Sequence, residues 1–216
     1  RRVLVLEDGI PISINPYAEP DLYYAPQIER MRGVEVVKGS GSILFGPQTI
    51  GGVVNFLTLA PPNATRAAID VTGGDYGYLR ALANYGDRTG PVRYVAQVMR
   101  KEGDGFRGEN FESTDAFGKV AFETGDSGEL TLKLGIHDDS NVSGDVGFTK
   151  GMFARDPRRQ TLKPNDHLHL RRYDASLTHE QRFDVSTKLT TLVYAYETQR
   201  IWRRQSYARS AAAGQT

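Results

Sequence analysis

Cysteine is missing from all 216 residues, so the chain has no disulfide, no thiolate metal site and no cysteine nucleophile. No apolar run approaches the roughly 18 residues that a transmembrane helix needs, which excludes a helical span. A membrane β-barrel stays open, because its strands are short and apolar on one face only. An excess of either charge is missing too: 27 basic against 26 acidic side chains leave a formal charge of +1. The electrostatic case for nucleic acid or an acidic partner falls with it. The chain opens at Arg1, without the basic and apolar regions of a signal peptide, and is expected to be a piece of a longer, processed protein.

What is there falls into two textures. Residues 1–60 hold short β-branched runs, VLVL at 3–6, VEVV at 34–37 and GGVVNF at 51–56, punctuated by Gly and Pro. Asp21 is placed to cap a short helical stretch between Pro20 and Met31. The run PPNAT at 61–65 breaks any regular element and reads as a linker. From residue 66 onward, runs of about ten residues alternate apolar and polar, the period-2 sign of strands with two unlike faces. In LTLKLGI at 130–136 the apolar residues share one face, and Leu79, Ala81, Ala83 and Tyr85 oppose Arg80 and Asn84. The pattern predicts seven strands near 66–73, 77–86, 92–102, 114–124, 128–139, 169–182 and 187–200, with no helix between them.

The connections alternate in length. Those at 86–90, 125–128 and 182–186 are short, whereas 103–113 and 139–168 are long. Short turns at one end and long loops at the other suit an up-and-down barrel whose rims face different compartments. Seven strands do not close so wide a barrel, so either further strands lie elsewhere in the protein or the barrel reading is wrong.

Three segments then become specific: VLVLEDGIP at 3–11, IERMRGVEVVKG at 28–39 and LFGPQTIGGVVNF at 44–56. In this order they closely resemble the C-terminal half of the plug domain of TonB-dependent outer-membrane receptors. The resemblance implies a mostly all-β membrane β-barrel fragment: the C-terminal half of an α+β plug at 1–60, the linker at 61–65, and the first seven strands of a barrel of about 22 strands at 66–216. It also implies a bacterial outer-membrane location and a receptor, not an enzyme, that takes up a scarce ligand when the inner-membrane partner TonB pulls on the plug. PYAEP at 16–20, LYYAP at 22–26, GPQTIGG at 46–52 and the loop text RDPRRQ and KPND at 155–160 and 163–166 resemble the ferric dicitrate receptor branch. The implied cargo is a ferric chelate, ferric citrate first, with no resident cofactor. Another siderophore, haem or cobalamin is the alternative, as is a receptor that also signals through an N-terminal extension.

Read residue by residue, most other motifs stay bland. GSGS at 39–42 departs from the dinucleotide pattern at Leu44, and Pro47-Gln48 replaces the Lys-Ser/Thr of a phosphate loop. Asp139, Asn141 and Ser143 match the opening of a calcium loop, but Lys150 stands where its closing Glu belongs, so a polar surface loop is expected. His167 and His169 share one side of a strand, without a third fixed ligand for a metal.

Arginine clusters at 155, 158, 159, 171, 172, 200, 203, 204 and 209, mostly near the long-loop rim. Planar guanidinium suits carboxylates, and Arg203 and Arg204 are the ligand candidates. Lipopolysaccharide phosphates at the outer leaflet, or a merely polar lumen, explain the same cluster. Gln48 matches the family stretch whose Gln faces the bound anion from the plug apex. Its amide donates to a carboxylate without adding charge, or else satisfies a turn of the plug. Trp202 suits an interfacial girdle.

Overall fold

The computed structural model describes residues 3–12, 24–39, 49, 51–142, 147–160 and 162–205. They form two sheets. The smaller has four strands, β1 (Val3–Glu7), β2 (Ile10–Pro11), β3 (Gly33–Val37) and β4 (Gly52–Leu57), in the order β2-β1-β4-β3. β1 runs parallel to β4, and β3 antiparallel to it. The β1–β2 turn is Asp8-Gly9, with φ of 49° and 81°. This Asp-Gly pair tolerates the left-handed backbone that a two-residue hairpin requires. The turn is anchored by Asp8 N–H to Phe56 O at 2.8 Å and Gly9 N–H to Asn55 Oδ1 at 2.9 Å.

The larger sheet is a meander of seven antiparallel strands, each hydrogen-bonded to the next in sequence. They are β5 (Arg66–Gly73), β6 (Leu79–Thr89), β7 (Val92–Gly103), β8 (Phe111–Thr124), β9 (Gly128–Val142), β10 (His167–Arg182) and β11 (Lys188–Arg203). All seven predicted strands are present, several longer than expected. Residues 86–89, read as a turn for their Gly, Asp and Thr, continue the ladder, with Asp87 opposite Tyr94 and Arg88 opposite Arg93. The actual turn is Gly90-Pro91. Residues 139–142 likewise belong to β9, so the calcium-like text starts inside a strand and not in a surface loop.

One expectation fails outright: a helix does lie between strands. α1 (Lys150–Arg155) sits in the β9–β10 connection, with Met152 N–H donating to Thr149 Oγ1 at 3.3 Å as an N-cap. The helical stretch expected before Met31 is a single 3-10 turn at Ile28–Arg30, and Asp21 lies outside the described residues. No described helix is long and apolar enough to cross a membrane.

Alternation divides the large sheet cleanly. On one face Tyr85, Val98, Phe122, Leu132, Leu134 and Val193 are exposed, an apolar band on strands whose other face is polar. That other face, carrying Gln97, Asp115, Lys133, His137 and Arg172, packs against the small sheet and is buried there. The apolar core lies at this contact, where Ile12 and Tyr24 of the small-sheet region meet Leu170 of β10.

Candidate functional site

The contact between the sheets is charged. Lys119 of β8 and Lys133 of β9 stand directly opposite each other on the buried face. Like charges in that position repel unless an anion bridges them. The Asp8-Gly9 turn supplies one: Asp8 Oδ2 lies 3.1 Å from Lys119 Nζ and 2.8 Å from Lys133 Nζ. Thr58 fixes the carboxylate by donating its backbone N–H at 3.0 Å and its hydroxyl at 2.7 Å.

Next to it, Glu7 accepts from Lys133 Nζ at 2.8 Å, Arg30 Nη2 at 2.9 Å and the Tyr24 hydroxyl at 2.6 Å. Arg30 comes from the 3-10 turn, is only 4% exposed, and pairs through Nε with Asp115 of β8 at 2.8 Å. Asp115 in turn lies 3.0 Å from His137 Nδ1. Five groups from the small sheet and its neighbours thus interlock with four from the large one. Burial pushes the Glu7 carboxyl up, but Lys133 and Arg30 outweigh it and hold the group at about 2. Burial also pushes Asp8 up, and there too Lys133 and Lys119 win, well below the usual carboxylate range. Tyr24 is raised by burial and by Glu7, so its phenol stays protonated and remains a donor.

Above this cluster, the Arg172 guanidinium lies between the rings of Tyr24 (4.8 Å) and Tyr196 (4.0 Å). Its Nε and Nη1 find no hydrogen-bond partner among the described residues. Stacking on two aromatic faces is what holds this charge in place.

The register sorts the predicted site residues. Arg172 pairs with Thr198 and Leu170 with Arg200, so Arg200 and Trp202 share the face turned to the small sheet. Arg203 pairs with His167 and faces the opposite way. Arg204 follows the strand end and lies over the Trp202 ring at 4.4 Å, with Arg200 at 5.7 Å. Gln48 and Arg209 lie outside the described residues. His167 and His169 share the outward face of β10, as expected. His169 meets Asp138 at 3.2 Å, and among the described residues no three His, Asp or Glu side chains could hold a metal.

Sequence reasoning missed Glu7, Asp8, Arg30, Lys119 and Lys133. One signal was available: two lysines and an aspartate on the polar face of otherwise apolar strands need counter-ions from outside the sheet.

Comparison with known proteins follows the same division. Residues 1–53 match the family described as TonB-dependent Receptor Plug Domain. The chain is 28% identical over 148 residues to the vitamin B12 transporter BtuB of Photobacterium profundum, covering 64% of this chain and 24% of that protein. It superposes on the ferric citrate transporter FecA in the unliganded form with a TM-score of 0.81 and 24% identity, covering 95% of this chain and 32% of that one. FpvA of P. aeruginosa, bound to heterologous pyoverdines, gives a TM-score of 0.74 at 14% identity, over 89% and 27%. The chain spans about a quarter to a third of the length of these proteins.

The matched plug domain holds most of the small sheet, and the seven-stranded sheet has the fold of the β-barrel strands of TonB-dependent outer-membrane receptors, the class this chain resembles. Within that class its architecture resembles the ferric citrate receptor.

Proposed function

We propose that the whole receptor takes up a ferric chelate, ferric citrate first, and draws on TonB to move it past the plug. In this reading residues 1–60 are the C-terminal half of the plug, 61–65 the linker and 66–216 the opening strands of the barrel. The observation that carries the ligand assignment is the inward pair Arg200 and Trp202 with Arg204 also over the Trp202 ring, at the long-loop mouth. Ferric citrate is an anion rich in carboxylates, which guanidinium binds bidentately and an indole N–H can join. Gln48 would meet it from the plug apex. Arg203, by its register, is the member whose partner is an outer-leaflet phosphate if it does not reach the ligand.

The seam chemistry supports a plug that shifts. Groups such as Glu7, Asp8 and Lys133 can exchange one another for water as a gap opens, whereas an apolar seam gains nothing from water. Broken asymmetrically, the same pairs are costly, which keeps the plug seated at rest. Cobalamin is the second reading, favoured by the similarity to a vitamin B12 transporter. Uptake of radioactive iron as ferric citrate by cells carrying the full-length receptor, with and without TonB, tests the proposal. TonB-dependent uptake supports it, and uptake of cobalamin alone replaces the ligand.

A further inference from the structure

Three connections lie at the long-loop end of the large sheet: 74–78, 104–110 and, between β9 and β10, the described stretch 147–160. The middle one reads Gly105-Phe106-Arg107-Gly108, and both glycines have φ of 68°. A Cβ at Gly105 would come within 2.6 Å of the Glu109 carbonyl oxygen, so this tight turn needs glycine there. The turn displays Phe106 and Arg107 side by side at its apex.

From that apex contacts run both ways. Towards 147–160, the Arg107 guanidinium lies 4.8 Å from the Phe148 ring and 5.9 Å from the Phe153 ring of α1. Its Nε donates to the Pro157 carbonyl at 3.2 Å. It also covers the neighbouring Phe106 ring at 5.6 Å. Towards 74–78, Phe106 meets Tyr76 edge to face, 5.4 Å between centroids at 80°, and Asp104 N–H donates to Tyr76 O at 2.7 Å. Tyr76 sits at φ 57°, a backbone setting that a bulky side chain keeps only when its surroundings hold it. Ring distances under about 6 Å from a cation are within reach of cation–π attraction, and one guanidinium serves three rings.

We propose that Arg107 is the hub of a clamp that makes these three connections one body, so that this side of the receptor mouth opens and closes as a unit and not loop by loop. The inference is independent of which chelate is carried. It rests on side chains that the seam and the inward arginines do not use.

Hydrogen–deuterium exchange of the full-length receptor in detergent, without added ligand, tests it. R107A should speed exchange about tenfold in 104–110 and 147–160 and also in 74–78, which Arg107 reaches through Phe106. That factor corresponds to an opening equilibrium shifted by about 1.4 kcal/mol. Peptides from β7 and β8 should keep their protection, which shows that the barrel is intact. F153A, changing an exposed ring of α1, should speed 147–160 alone and leave 74–78 as in the wild type. Unchanged exchange in 147–160 in either variant, or an R107A effect confined to 104–110, overturns the clamp. If R107A does not fold, the F153A result decides.

Discussion

Lys133, midway along a barrel strand, donates to Glu7 of the plug at 2.8 Å, a contact that closes 126 positions of sequence. The same ammonium reaches Asp8 at 2.8 Å. One barrel lysine thereby ties down two adjacent plug carboxylates, each held by a second cation, Arg30 or Lys119.

Removing that lysine should loosen the plug. Lys133→Met leaves Glu7 and Asp8 buried with a missing partner, and losing one member of a buried pair costs about 3–5 kcal/mol. Thermal unfolding of the full-length receptor in detergent should show a lower Tm for Lys133→Met. Combining it with Glu7→Gln should restore part of the loss, since the stranded charge is then gone. A double variant no better than Lys133→Met argues against this pairing.

Acid should act on the same contact. The Glu7 carboxyl is lowered from an ordinary 4.5 to about 2, so its contribution is present above about pH 4.5 and is lost as pH falls through about 2. The native state binds fewer protons than the unfolded one in that window, and stability must fall with pH there. The size is on the order of 3 kcal/mol. Glu7→Gln should flatten this part of the stability–pH curve, and an unchanged slope would remove Glu7 as its source.

The outward band makes a depth-dependent prediction. Leu134→Arg places a cation on the lipid face of β9 and should cost about 2–4 kcal/mol if it lies near the midplane. Val185→Arg, in the fully exposed β10–β11 turn, should cost nothing measurable. Urea unfolding in lipid vesicles checks both, and equal effects would contradict the assignment of the band.

Topology is testable on intact cells. Trypsin added outside should cut after Arg155, Arg158 or Arg159, all exposed in the longest connection. It should spare Arg88 and Lys188, which lie beside the short turns. Cleavage at Arg88 or Lys188 alone would turn the barrel over.

How far the sequence carried depends on how local each signal is. The seven strands were legible because an apolar residue at every second position, as in 130–136, reports a half-buried strand without reference to anything distant. Their ends were not. Gly86, Asp87 and Thr89 look like turn residues, yet their pairing continues because β7 supplies partners as far as Val92. α1 was missed because it is short and solvent-facing, and so leaves no apolar stripe. The plug was legible through its motifs, but its contacts were not. Alternation says that Lys119 and Lys133 face inward, while only the folded chain says that Asp8 lies between them. Arg203 and Arg204 illustrate the same limit at the mouth. Adjacent in sequence, they are separated by the strand face on which Arg203 sits and by the end of β11 before Arg204.

Direct binding of ferric citrate to the full-length receptor, measured by titration calorimetry over a range of salt, tests the central claim. Binding should weaken as salt rises, because charged contacts at an open mouth are screened over about 8–10 Å at ordinary ionic strength. Arg204→Ala and Gln48→Ala should each lower affinity about 10- to 150-fold, the equivalent of one hydrogen bond to a charged group at about 1.5–3 kcal/mol, with the fold intact. Arg203→Ala should leave affinity unchanged if it serves the lipid side. Binding of cobalamin or a catecholate siderophore without any binding of ferric citrate would contradict the ligand assignment and leave the receptor class standing.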